Sequence, residues 1–299
     1  MEYSNIINQY APAMSEAEVA AAVAQAKAAM SKNENVEVYK FCLSAVDLTT
    51  LTCNDSVESV TEFAKRTVTF AEKYPQIPNV ASICVYPSFV ETVGLEIDGT
   101  PLRITSVAGA FPASQSFIEV KALEVAMAIE SGADEIDIVL NPGLMLSGHE
   151  AEAASEVELL REEAKDVVLK VIIESGALKT PELIRRASLV SMFAGADFIK
   201  TSTGKIDVAA TPEAAVVMCH AIKDFYENDQ LVALTKELTE TLRKNQTIDW
   251  QKKDQARARM RMMIKKLLKK YDYPPEDRED AVVIVMHQCE LWADKVMVS

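Results

Sequence analysis

Glycine makes up nine of the 299 residues, about 3% where a soluble domain carries ~7%. All nine fall between Gly94 and Gly204, so residues 205–299 have none and that end of the chain obeys different rules from the rest. Cysteine pairs at zinc or redox spacing are also lacking. Cys42, Cys53, Cys84, Cys219 and Cys289 lie 11, 31, 135 and 70 residues apart, an odd set for which reduced thiols are expected. His149, His220 and His287 are scattered and form no ligand motif, so no protein metal site is expected. The longest apolar stretches, such as Val19 to Val23 and Val282 to Met286, fall far short of the ~20 residues that span a bilayer, which excludes a transmembrane helix. The opening MEYSNIINQY lacks the basic and apolar regions of a secretory leader, and a cytoplasmic protein is expected.

Apolar residues, by contrast, are plentiful. At 49% hydrophobic and 25% charged, the chain can bury a large α/β core and is neither disordered nor collagen-like. Its net charge of −14 is unevenly shared: residues 1–228 carry −16 and residues 229–299 carry +2. This break coincides with the loss of glycine.

Up to about residue 227, short apolar runs alternate with helical-period segments. A Ser15-x-x-Glu18 capping box opens an N-terminal helix. Candidate strands begin near Ser44 (SAVDL), Ala81 (ASICVY), Arg103 (RITSVA), Glu135 (EIDIVL), Val167 (VVLKVII) and Asp197 (DFIKT). Helix-like stretches such as Phe117 to Ser131 and Pro181 to Phe193 lie between them, the pattern of repeated βα units around a buried parallel sheet. No G-x-G-x-x-G follows the first strand, which weakens a dinucleotide-binding reading. Chemistry-capable residues recur instead at strand ends: Asp47, Asp137, Lys170 with Glu174, and Lys200. A barrel gathers such residues at one mouth, so the expected fold is an α/β, TIM-type (β/α) barrel.

From Asp229 the pattern becomes helical. Leu231, Leu234, Leu238 and Leu242 form one stripe, and Met260, Met263, Ile264, Leu267, Leu268 and Tyr271 another. Pro274-Pro275 ends that second helix, and Glu276, Asp277, Glu279 and Asp280 suit the first turn of a third, which runs towards Trp292. Residues 252–270 hold nine basic residues and one acid, Asp254, but the apolar stripe in the same segment places a solvated basic face or partner contact ahead of nucleic-acid binding. The expected domains are an N-terminal helical extension over 1–40, the barrel over 41–228 and a helical segment over 229–299.

The segment ADFIKTSTGK, Ala196 to Lys205, is the most informative in the chain. Burial at the end of a parallel strand disfavours a charged lysine, so the pKa of Lys200 is expected to fall. An unshifted lysine is only about 0.04% neutral at pH 7, whereas one lowered to roughly 7–8 offers a useful nucleophilic amine. Lys200 is therefore a candidate Schiff-base former, with Lys170 placed to supply a helping cation. The run that follows, with Thr203, Gly204 and Lys205, offers hydroxyl, amide and ammonium donors as an anion cradle would. The bland alternatives stay open: strand-end lysines as ion-pair partners, Asp137 as a structural acceptor for Lys170, Asp47 as a loop cap.

The blocks DLTTL (Asp47 to Leu51), SICVYPSFV (Ser82 to Val90), DEIDIVLNPG (Asp134 to Gly143), LKVIIESGAL (Leu169 to Leu178) and ADFIKTSTGK resemble deoxyribose-phosphate aldolase, a class I aldolase on a TIM barrel, in order from about residue 40 to 226. The resemblance implies Schiff-base cleavage of 2-deoxyribose 5-phosphate to glyceraldehyde 3-phosphate and acetaldehyde, with no cofactor or metal. It also implies roles for Lys200 as the imine lysine, Asp137 as the proton-relay acid and Lys170 as an active-site lysine. By the same resemblance, Asp47 and Thr49 lie near the substrate mouth.

The family continues with a G-F-K-P strand, a glycine pair and a final Gly-x-Ser-Ser turn, none of which is present here. The strand lysine helps keep the imine lysine neutral, and the glycine turns grip the phosphate. The resemblance thus implies an incomplete barrel of about six βα units with weak or lost activity. The segments LTKELTETLRKNQTIDW (Leu234 to Trp250) and RARMRMMIKKLLKKYDYPPEDREDAV (Arg257 to Val282) resemble instead the C-terminal helical region of type I restriction endonuclease R subunits, which implies a protein partner for residues 229–299. An inactive chimera, or an interaction protein working through its tail, is the alternative reading.

Overall fold

A computed structural model describes residues 7–8, 10, 12–227 and 262–266. The helices expected between Asp229 and the C-terminus lie outside the described residues, apart from the helical turn at 262–266. The chain divides after Ile222 into two units, and every strand among the described residues belongs to the unit Glu2–Ile222.

Helix α1, Glu16–Ala29, begins at the capping box read from the sequence: the Glu18 amide donates to Ser15 Oγ (3.3 Å) and the Ser15 amide to Glu18 Oε2 (2.8 Å). Helix α2, Val36–Ser44, starts at Asn35, whose side chain accepts from the Val38 amide (3.0 Å). Six βα units follow. They comprise β1 Asp47–Thr49, α3 Val57–Lys73, β2 Ser82–Val85, α4 Val90–Ile97, β3 Arg103–Val107, α5 Ile118–Glu130, β4 Glu135–Val139, α6 Pro142–Leu146, α7 Glu150–Glu163, β5 Val168–Ile172, α8 Ser175–Leu178, α9 Pro181–Phe193, β6 Phe198–Lys200 and α10 Pro212–Glu227.

The strands pair in sequence order, β1 to β6, all parallel. A doubly wound sheet would reverse its order at a switch point, and this one does not, so the winding is that of a TIM barrel carried through six units. Period-two alternation then sorts the side chains. On β4, Ile136 and Ile138 are fully buried, and Ile138 faces the helices, since Gly109 is packed between Ile138 and Leu160 of α7. Glu135 and Asp137 point to the opposite side of the strand, the barrel interior. Ile83, Leu169 and Val171 extend the sheet-to-helix layer, each worth about 1.5–3 kcal/mol of burial.

Among the described residues no strand covers the outer edge of β1 or β6. Side chains cross that opening instead: Lys200 of β6 reaches Asp47 of β1 (3.2 Å), and the Lys205 ammonium donates to the Leu51 carbonyl. The sheet is curled as in a barrel, although among the described residues no backbone strand pairing joins β6 to β1.

Candidate active site

The interior side chains form one polar cluster. Strand β1 supplies Asp47, β2 Ser82, β3 Thr105, β4 Glu135 and Asp137, β5 Lys170 and β6 Lys200. Strand register puts Asp137 opposite Lys170. The Lys170 ammonium lies 2.6 Å from Asp47 Oδ2, 2.5 Å from Glu135 Oε2 and 3.9 Å from Asp137 Oδ1. Lys200 donates to Asp137 Oδ2 and to the same Asp47 oxygen that Lys170 uses. Ser82 Oγ donates to Asp47 Oδ1 (2.9 Å), and Thr105 Oγ1 to Glu135 Oε2 (3.1 Å). Three carboxylates thus surround two ammonium groups, and Arg103 meets Glu135 from the strand start (3.2 Å).

This arrangement reverses one expectation. Burial does work to lower the pKa of Lys200, but the charges of Asp137 and Asp47 and the hydrogen bond to Asp137 outweigh it and hold the ammonium above the ordinary lysine value. Lys170 is also raised: burial opposes it, and Asp137, Asp47 and Glu135 prevail. Asp47 is lowered against burial by its hydrogen bond from Lys170 and by both lysine charges. Asp137 is buried deeply enough that its carboxyl is pushed up despite the two lysines. Its Oδ1 has no hydrogen-bond partner, so one acceptor position stays free inside the site. Burial, followed by the charge of Asp137, pushes the neighbouring Cys84 thiol up to about 12, and it stays protonated.

The remaining sequence-chosen residues sit at the rim. Thr49 is exposed and its hydroxyl donates back to the Asp47 carbonyl (3.0 Å). The donors of Thr203 are already occupied: its amide reaches both Glu174 oxygens (3.3 Å each), and its hydroxyl also donates to Glu174. Gly204 takes a left-handed turn (φ 72°) that lets the Lys205 amide donate to Thr203 Oγ1 (3.1 Å). Sequence reasoning did not select Glu135, Ser82 or Thr105 for the site. Glu135 had a usable signal, since it lies two positions before Asp137 on a strand and so shares its face.

A Caenorhabditis elegans protein named as a deoxyribose-phosphate aldolase is 38% identical over 212 residues, 70% of each chain. The chain belongs to the deoxyribose-phosphate aldolase family. Two solved structures agree. A crystal structure from Coccidioides immitis, titled as a deoxyribose-phosphate aldolase, has 25% identity and a TM-score of 0.56 over 70% of this chain and 81% of its own. The Aeropyrum pernix deoxyribose phosphate aldolase, described as tetrameric, has 26% identity and a TM-score of 0.54 over 63% and 75%. Residues 214–295 of this aldolase homologue match a second family, "Type I restriction enzyme HindI endonuclease subunit-like, C-terminal". That match begins within α10, upstream of the composition break. Among the described residues no helix is long and apolar enough to cross a membrane.

Proposed function

We propose that the chain is a class I aldolase that cleaves 2-deoxyribose 5-phosphate through an imine on Lys200. The observation that carries this reading is the placement of Lys200 at the end of β6, hydrogen-bonded to Asp137 and Asp47 inside the barrel. A lysine amine next to carboxylates can add to a carbonyl and pass protons to its neighbours.

The Lys200 ammonium first gives up its proton to the carboxylate cluster. The free amine attacks the substrate aldehyde carbon, and loss of water leaves an iminium. Asp137 then takes the proton of the C3 hydroxyl through its unpartnered Oδ1. The C3 oxygen becomes the carbonyl of glyceraldehyde 3-phosphate as the C2–C3 bonding pair moves to C2 and neutralises the iminium as an enamine. Protonation at C2 and hydrolysis release acetaldehyde and restore Lys200. Lys170 holds Asp47 ionised and steadies the charge during these transfers.

Two features make this a slow enzyme with a loose hold on phosphate. Lys200 rests as a paired ammonium, and the Thr203 donors that could meet a phosphate are occupied by Glu174. The test is reductive trapping: incubate with acetaldehyde, reduce with borohydride and locate the ethyl adduct by mass spectrometry. The expected adduct lies on the peptide containing Lys200 and is absent in Lys200→Met. An unmodified Lys200 under conditions that label a complete aldolase would overturn the reading.

The match over 214–295 supports a second role beside the first, a protein-partner surface on the C-terminal segment.

A further inference from the structure

Glu174 has no part in the chemistry just described, yet its position is unusual. It is 3% exposed and takes a left-handed backbone conformation (φ 52°, ψ 60°), which is costly for a residue with a Cβ. That turn points its carboxylate across to the segment after β6, where it receives the Thr203 amide and hydroxyl. The backbone alongside is paired too: the Ile173 amide donates to the Lys200 carbonyl (2.9 Å) and the Ser175 amide to the Thr201 carbonyl (2.8 Å).

Strand β6 has only three residues and, among the described residues, pairs with β5 alone. A short edge strand is the least constrained place from which to present a reacting side chain. Ser202 Oγ has no hydrogen-bond partner, so it adds no anchor of its own. We infer that Glu174 is a positioning residue: its carboxylate ties Thr203 to β5 and so fixes the chain on the C-terminal side of Lys200, holding the amine where it can meet a bound carbonyl. The Thr203 amide and hydroxyl both reach Glu174 Oε2, so one acceptor oxygen at that point serves both donors without a negative charge. The inference deepens the imine reading and rests on it.

Three variants and two measurements test it. Backbone hydrogen exchange of the peptide spanning 198–205 reads the tether directly, and the rate of borohydride trapping with acetaldehyde reads its consequence at Lys200. Glu174→Gln keeps an acceptor oxygen and is expected to trap within about twofold of the parent with unchanged exchange. Glu174→Ala is expected to exchange faster at 198–205 and to trap roughly ten- to a hundredfold more slowly, the penalty for a misplaced reacting group. Thr203→Val removes the hydroxyl donor and should fall between them, which keeps the test informative if Glu174→Ala does not fold. Equal exchange in Glu174→Ala and the parent overturns the tether. Loss of trapping in Glu174→Gln as severe as in Glu174→Ala overturns positioning in favour of a role for the charge. If the parent itself forms no adduct at Lys200, the imine reading fails, and hydrogen exchange still decides whether the tether exists.

Discussion

Lys200 lies between two carboxylates, and that pairing sets the pH range in which its amine is free. The carbonyl is attacked only by the neutral amine, and the folded pKa lies above the ordinary lysine value. Between pH 7 and 9 the neutral fraction therefore grows about tenfold per unit, and the rate of reductive trapping should climb with it. Asp137→Asn removes the strongest charge that holds the proton, so trapping of acetaldehyde at pH 7 should speed up. Cleavage of deoxyribose phosphate should slow in the same variant, because no base then takes the C3 hydroxyl proton. A trapping rate that is flat from pH 7 to 9 would contradict the pairing. None of this charge balance is legible locally, since Asp47 lies 153 residues from Lys200 in sequence and Asp137 lies 63 residues away. A sequence shows that a strand lysine is buried; only the fold shows which acids meet it there.

At the scale of elements, the βα rhythm was readable because each buried strand is a short apolar run bounded by a helical segment. Strands β3 and β4 begin at the expected Arg103 and Glu135, and α9 spans the expected Pro181 to Phe193. The first strand begins at Asp47, three residues later than the expected start at Ser44, because Asn35 caps a helix that runs through Ser44. The short helix α8 was less visible, yet it carries one of the tightest contacts in the barrel. A Cβ on Gly176 would run into the Val208 carbonyl oxygen and stand 3.0 Å from the Val208 carbonyl carbon, so α8 and the segment after β6 approach to glycine distance. Gly176→Ala should force the two apart at a cost of about 2 kcal/mol, lowering Tm by roughly 4–8 °C. Thermal denaturation followed by circular dichroism checks this, and an unchanged Tm would show that the close packing is dispensable.

At the scale of the whole molecule, the question is what closes a barrel of six strands well enough to hold a charged cluster. Within the unit Glu2–Ile222, every strand that contributes to the cluster is present, and the opening between β1 and β6 is bridged by Asp47 with Lys200 and by Lys205 with the Leu51 carbonyl. The first of these bridges joins two residues of the site itself, so Lys200 and Asp47 both form the cluster and span the opening, while Lys205 spans it at the rim. The absence of glycine after Gly204 then marks the passage from aldolase to the restriction-subunit-like segment, whose match extends to residue 295. If imine chemistry resides wholly in the first unit, a chain ending at Glu227 should trap acetaldehyde at Lys200 within about twofold of the full chain at saturating aldehyde. The truncated chain should also show the same circular dichroism per residue in its barrel. Full folding with lost trapping would mean that residues 228–299 take part in the site. Retained trapping would assign the imine chemistry to residues 1–227 and leave residues 228–299 outside it.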